Sequence, residues 1–459
     1  MKAIQPSLAS FWQTFIHDRN ADIQMPFYMF YTWVWARIVG PGEWSLHLAN
    51  LPWFVAGAAA FILSFPAGGH LRKFAIYVAM FCPFAWYYLD EARPYTMQLG
   101  ASLLIIASLR GLQQTGKGTI GDSSGHLVWF LAGVIVLSGS SMLGMLWAGA
   151  AVASLPLLLG WERLVSLLRR HLGIWLIAAL PLLLFAAFYL WTLKSGARAS
   201  AAATTTVASA FYAVYELLGF TGLGPGRLEM RDAGPSALRG HMSGVVPYGV
   251  ATALVAGAAV AFVLGSGNRK RLAVAVCCCV PPAFILAVGW VAHFRVLGRH
   301  MAPFVPIWLL LLTSGLTALW ARRGMGGQIV VVVFCGLSLL SCLSVRFSAR
   351  HAKDNYRAAA AMARTALQSG QLVWWNAAEE GARYYNVPVG QSANSSGEAV
   401  FLMNPTRESL DKLAAPHLIV ASKPDVYDSE KALAEYIRAQ GFVPAADFAA
   451  FVIWEKGSR

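Results

Sequence analysis

Asp90, Glu91 and Arg93 fall within four positions of an otherwise apolar chain, in the stretch "WYYLDEARPYTMQL" from Trp86 to Leu99. Two adjacent carboxylates can bind a divalent cation or simply hydrogen-bond hydroxyl groups. Pro94 cannot continue a helix, so the charges sit where one helix ends and the next begins. Ionisable residues at the edge of an apolar span are a functional-site hypothesis by default, with a plain solvated loop as the alternative. The rings of Phe84, Trp86, Tyr87, Tyr88 and Tyr95 crowd both sides and favour a walled site over a loop that merely faces water.

The elements that must position this cluster are membrane helices. The chain has 459 residues, 57% of them hydrophobic and only 13% charged, and its mean hydropathy is +0.54. That composition is that of a polytopic membrane protein. Apolar stretches near 46–66, 74–89, 95–109, 127–160, 172–193, 246–265, 272–293, 301–320 and 328–345 are long enough to be read as spans, a crossing needing roughly 20 residues. The 127–160 block is too long for one crossing, and Ser138-Gly139-Ser140-Ser141 marks a bend within it. The expected fold is all-α and polytopic with about ten transmembrane helices, because an open sheet cannot satisfy its backbone in lipid.

Lys and Arg set the orientation. Arg72/Lys73, Arg110/Lys117, Arg163/Arg169/Arg170, Arg269/Lys270/Arg271 and Arg322/Arg323 occupy every second loop, which places those loops in the cytoplasm. The outer face then holds Asp90/Glu91/Arg93, the long 194–245 segment, Arg295 to His300, and everything after 346. The expected location is the cell inner (plasma) membrane, with the C-terminal part periplasmic or extracytoplasmic. The net charge of +14 does not call for nucleic acid: residues 1–345 hold 23 Lys or Arg against 10 Asp or Glu, and 346–459 hold 13 against 12. The basicity is mostly topological. All six cysteines lie in expected spans, so neither a disulfide framework nor a zinc site is implied.

Three regions follow. Residues 1–45 form an outer-face juxtamembrane segment without a cleavable signal; 25–40 reads as an interfacial helix, with a tilted span as the alternative. Residues 46–345 form the transmembrane core, with an outer loop at 194–245 that is either a lid or a linker. From 346 to 459, helix and strand signals alternate. "KDNYRAAAAMARTALQSG" is a helix capped by Asp354 and ended by Gly370. "QLVWWNA", "PHLIVASKP" and "AAFVIWEK" are strands, and "DSEKALAEYIRAQG" is a helix capped by Asp428 and stopped by Gly441. This is a small α/β domain on the outer face. It carries no glycine-rich phosphate loop and no recognisable triad, so docking or shaping the acceptor suits it better than chemistry of its own.

The opening cluster carries a family resemblance. "WYYLDEARPY" resembles the signature of protein-mannosyltransferase-like and aminoarabinose-transferase-like bacterial glycosyltransferases, the membrane enzymes of the GT-C fold. "QMPFYMFYTWVWARIVGPGEWSLHLANLPW", "LGRHMAPFVPIWLLLL" and "KDNYRAAAAMART" are similar to further stretches of that family, in order and spacing. The resemblance runs from about residue 20 into the C-terminal domain, and its "EARPY" element is the specific part. It implies sugar transfer on the outer face from a polyprenyl-phosphate donor to a lipid, glycan or protein hydroxyl. Such a reaction needs a carboxylate as general base, cations or a metal ion at the departing phosphate, and a groove for the lipid chain.

On that resemblance Asp90 and Glu91 stand at the family's second acidic position, where they could orient the acceptor or hold a divalent cation. Arg93 could hold an acid or meet phosphate, while Arg299 and His300 could clasp the donor phosphate. Tyr28, Tyr88 and Tyr95 belong with the aromatic residues that could line the groove, although an interfacial belt explains them nearly as well. The family's first span, and the acid after it that is taken as the base, have no match here. Asp18 and Asp22 are the remaining N-terminal acids, and Asp22, four residues before Pro26, is the one that could approach the site. Parity of the spans leads to the expectation of an upstream apolar stretch of roughly 20 residues followed by an acid. Two rival functions stay open: an inactive or divergent member acting as an assembly partner, and a transporter of lipid-linked sugar. A transporter would show inverted repeats and mid-span charge, which the sequence lacks.

Overall fold

The computed structural model describes residues 3–17, 25–114, 123–194, 205–322, 324–390 and 397–457. The chain divides into two compact units, Lys2–Ser348 and Ala349–Arg459.

The first unit is helical. Among the described residues, eight helices are long and apolar enough to cross a membrane: Glu43–Leu63, Ser123–Ser140, Met142–Leu159, Leu172–Lys194, Gly234–Leu264, Asn268–Val291, Gly298–Ala321 and Met325–Phe347. Leu172–Lys194 is apolar all round and buries only Ala178, Tyr189 and Thr192, so most of its surface is left for lipid chains. Tyr95–Gln114 is the converse case. Protein surrounds this 20-residue helix nearly everywhere, which lets it carry buried Thr96, Gln98, Ser102 and Ser108.

The long 127–160 block does split, and Ser141 makes the break. It is extended (φ −172°, ψ 163°), and its hydroxyl accepts the Gly144 N–H at 2.8 Å to cap the second helix. Gln98 donates to the same hydroxyl at 2.8 Å, and Tyr189 donates to the Ser138 carbonyl at 2.7 Å. The polar groups freed by the bend are thereby satisfied. The expected 74–89 span is instead two helices, His70–Met80 and Pro83–Tyr88. Pro83 brings no N–H and disfavours a helical conformation at Cys82. The Trp86 indole takes up the Met80 carbonyl at 2.7 Å, and the Ser338 hydroxyl takes up that of Phe81 at 2.8 Å.

Loops assigned to one side by their charges also meet in space. Arg110 reaches Ser64 at 3.1 Å, Arg163 the Leu112 carbonyl, and Arg269 the Pro156 carbonyl at 3.2 Å. At the other end, residues near 50, 90, 216, 298 and 346 converge. The helix pair Leu51–Leu63 and Tyr95–Gln114 supports that end. A Cβ at Gly57 would strike the Gly100 carbonyl, and one at Gly100 would strike that of Trp53. Glycine lets these two backbones touch.

The second unit holds one six-stranded sheet: β1 (Val373–Asn376), β2 (Val389–Gly390), β3 (Ala399–Phe401), β4 (Leu418–Ser422), β5 (Phe442–Phe448) and β6 (Phe451–Lys456), in the order β2-β3-β1-β4-β6-β5. The first four in that order are parallel, β6 pairs antiparallel with β4, and β5 pairs antiparallel with β6. β1 is buried on both faces, with Trp375 in one core and Trp374 in the other, as an apolar run in a covered parallel strand requires. Asn355, not Asp354, caps the first helix, accepting the Ala358 N–H at 3.1 Å, while Asp354 pairs with Lys423. Asp428 accepts the N–H groups of Leu433 and Ala434 at 3.0 Å each. Gly370 and Gly441 close their helices at φ +75° and +72°.

Candidate active site

The Asp90–Pro94 turn joins Pro83–Tyr88 to Tyr95–Gln114, and a fully buried side chain holds its shape. Asn50 Nδ2 donates to the carbonyls of Glu91 at 2.7 Å and Arg93 at 2.8 Å. The Thr96 hydroxyl donates to the Tyr88 carbonyl at 2.9 Å, tying the far end of the turn back onto the helix before it. Two side chains thus set the course of five residues.

Asp90 Oδ2 accepts from Arg346 Nη1 at 2.8 Å, while Oδ1 is buried without a partner. Glu91 acts electrostatically on both Tyr88 and Arg93. Arg93 bonds the Tyr95 side chain, and the Arg299 guanidinium lies over the Tyr95 ring at 5.7 Å. Arg299 Nε is buried with no hydrogen-bond partner. His300 turns inward instead: its Nδ1 accepts the Leu297 N–H at 3.1 Å, which leaves the neutral ring's proton on Nε2, and its carbonyl accepts the Trp147 indole N–H at 3.0 Å. The Tyr28 hydroxyl sits beside Asn50, and both it and Asn50 Oδ1 are buried without a bond of good geometry. Tyr88 is buried, its ring edge-on to Tyr95 at 5.3 Å. Asp22 lies outside the described residues.

Sequence reasoning missed the carboxylate at the centre. Glu216, on the short helix Val207–Leu217, is only 4% exposed. Its Oε1 accepts the Tyr88 hydroxyl at 3.1 Å and its Oε2 the Gly298 N–H at 2.9 Å. A Cβ at residue 298 would strike this carboxylate, so the close approach depends on glycine there. Burial raises the Glu216 pKa, against the opposing effects of the Tyr88 bond, the charges of Arg227 and Arg299, and the Gly298 N–H. A lone acid in the apolar stretch "FYAVYELLGF" was the available signal. Asn50, Arg227 and Arg346 were also passed over.

Asp90 and Glu91 were candidates for a divalent cation. Among the described residues no group of three or more His, Cys, Asp or Glu stands together, and Arg346 occupies one Asp90 oxygen. The donor set does not fit a protein-built cation site. What the cluster offers is guanidinium, from Arg93, Arg227, Arg299 and Arg346, set among the three carboxylates of Asp90, Glu91 and Glu216. Such a surface suits an oxyanion whose neighbours must be oriented at the same time.

No protein-family model and no curated protein matches the chain. Among solved structures it is similar to ArnT from Cupriavidus metallidurans. The apo crystal structure aligns with TM-score 0.54 and 14% identity over 94% of this chain and 87% of that one. The same protein bound to undecaprenyl phosphate aligns with TM-score 0.50 and 15% identity, over 94% and 88%. Arabinofuranosyltransferase AftD from Mycobacteria aligns at 0.43 and 12%, over 93% of this chain and 35% of that one, a score too low to read a shared fold from. The chain has the ArnT fold over nearly its whole length, the GT-C architecture that the sequence resemblance implied.

Proposed function

We propose that the protein is a membrane glycosyltransferase that moves a hexosyl or pentosyl group from a polyprenyl-phosphate donor to a hydroxyl of a lipid, glycan or protein, with inversion, on the outer face of the cytoplasmic membrane. The observation that carries the reading is Arg299 Nε, a buried cationic donor with no acceptor of its own, held on the Tyr95 ring beside Arg93 and Glu91. A phosphate oxygen supplies the acceptor that this N–H lacks. The shared fold adds support, since ArnT has been determined with undecaprenyl phosphate bound.

In this reading the acceptor hydroxyl loses its proton to a carboxylate and its oxygen bonds the anomeric carbon. The bond from that carbon to the phosphate oxygen breaks, and the electron pair leaves on polyprenyl phosphate. Arg299, with Arg93 and Arg227 nearby, stabilises the charge that grows there. Glu91 is assigned to meet the acceptor, because Arg346 engages Asp90; Asp22 is the other candidate for the proton. The charge pattern that places these loops outside also places Ala349–Arg459 outside, where it would present or shape the acceptor.

The test is transfer of radiolabelled sugar from its polyprenyl phosphate by the purified full chain in detergent. Arg299→Ala should lose about tenfold or more in kcat/KM, and Glu91→Gln should lower kcat. A wild type that neither transfers nor hydrolyses the sugar, and does not bind undecaprenyl phosphate, would defeat the reading.

A further inference from the structure

We propose that Glu216 is a positioning residue: its buried carboxylate, shared between the Tyr88 hydroxyl and the Gly298 N–H, fixes the turn that aims Arg299 at the donor phosphate. This rests on the donor-site reading above. One side chain joins three elements, namely Val207–Leu217, Pro83–Tyr88 and the 3₁₀ turn Gly298–Phe304. Each bond bears on Arg299. The Gly298 N–H belongs to the adjacent residue, and the Tyr88 ring packs on Tyr95, whose face carries the guanidinium.

A role as general base fits less well. Both Glu216 oxygens already accept hydrogen bonds, and the side chain is nearly sealed from solvent. Nor does the carboxylate consume the arginines. It feels the charges of Arg227 and Arg299, yet Arg299 Nε stays without a partner. The turn is held while the Arg299 Nε–H stays uncommitted. The titratable groups facing Glu216 are Tyr88 and, through the adjoining ring cluster, Tyr87, Tyr212 and Tyr215, with the cations Arg227 and Arg299. Burial outweighs those cations and shifts Glu216 upward.

Undecaprenyl phosphate binding by the purified full chain tests this, with wild type compared with Arg299→Ala, Glu216→Ala, Glu216→Gln and Tyr88→Phe across a pH series. Alanine removes the acceptor shared by the Tyr88 hydroxyl and the Gly298 N–H, and should weaken binding about tenfold or more. Tyr88→Phe removes one of the two bonds and should weaken it less. Glutamine can still accept from Gly298 while removing a negative charge near the phosphate, so it should bind more tightly than wild type. A purely electrostatic role would make the alanine variant bind more tightly too. The wild-type minus glutamine difference should change with pH as Glu216 takes up its proton, since the phosphate titrates in both proteins.

Unchanged binding by Arg299→Ala would overturn the donor-site reading and this inference together. Loss in Arg299→Ala alongside wild-type binding by a folded Glu216→Ala would overturn the Glu216 role alone. Should the alanine variant not fold, wild-type binding by a folded Tyr88→Phe overturns it instead.

Discussion

Asn50→Ala isolates the part of the site that no charged residue supplies. Asn50 is fully buried, and its Nδ2 makes the two bonds that hold the Glu91 and Arg93 carbonyls. Each bond is worth about 1 kcal/mol net, and each carbonyl left buried without a donor costs about 1–3 kcal/mol. Two carbonyls at the edge of a turn, partly rescued by water, put the local cost at about 2–4 kcal/mol. If about 1.4–2 kcal/mol of that reaches the transition state, kcat/KM falls about tenfold to thirtyfold. The assay is the same labelled-sugar transfer, run beside thermal unfolding. Asn50→Asp sharpens the outcome, because it keeps size and shape but sets an acceptor against two acceptors. It should therefore be worse than alanine. Either variant within about twofold of wild type in kcat/KM would refute the view that this side chain sets the catalytic turn.

Gly298→Ala should weaken undecaprenyl phosphate binding even in folded protein, because the added methyl group strikes the Glu216 carboxylate; binding equal to wild type would show that the turn has room to move. The raised pKa of Glu216 means that the folded protein holds this proton more tightly than the unfolded chain. Its contribution to stability is fully present below the ordinary glutamate value of 4.5 and is lost as pH rises through the raised one. The Tm of wild type minus that of Glu216→Gln should therefore fall with rising pH across that window, and a flat difference would count against the assignment. Asp428→Ala removes the acceptor for two helix N–H groups and should cost the second unit about 1 kcal/mol, read by denaturant unfolding.

Much of the fold was legible because burial in lipid and burial in protein leave different marks. Leu172–Lys194 shows the lipid mark, an unbroken apolar run, and its extent could be read almost to the residue. The Ser141 break was legible from length, since no single crossing needs 34 residues, together with the Ser138-Gly139-Ser140-Ser141 run that marks its place. The 74–89 region was misread as continuous because hydropathy averages over Pro83, although the proline itself was in plain view. The site divides in the same way. Glu91 and Arg93 announce themselves as charges among aromatic rings, and Arg299 was reached through the family resemblance. Asn50 does not, because its partners are backbone carbonyls, which carry no sequence signature. Glu216 hid inside a segment read as a loop, and its partner Gly298 is one glycine among 42. Contacts made across about 80 or 128 residues are invisible to periodicity.

The contact between Gly57 and Gly100 bears on traffic as well as on rigidity. Where the two backbones touch, at Gly57 and Gly100, no room is left between them for a hydrocarbon tail. On the donor-site proposal, a polyprenyl chain reaching Arg299 would be denied the close contact between Leu51–Leu63 and Tyr95–Gln114 and would come in along another side of the bundle. Gly57→Leu would prise this seam apart. It would do so without touching any residue that the proposal assigns to the substrate; closed as it is, the seam gives the proposed site a back, and an arriving lipid a direction of approach.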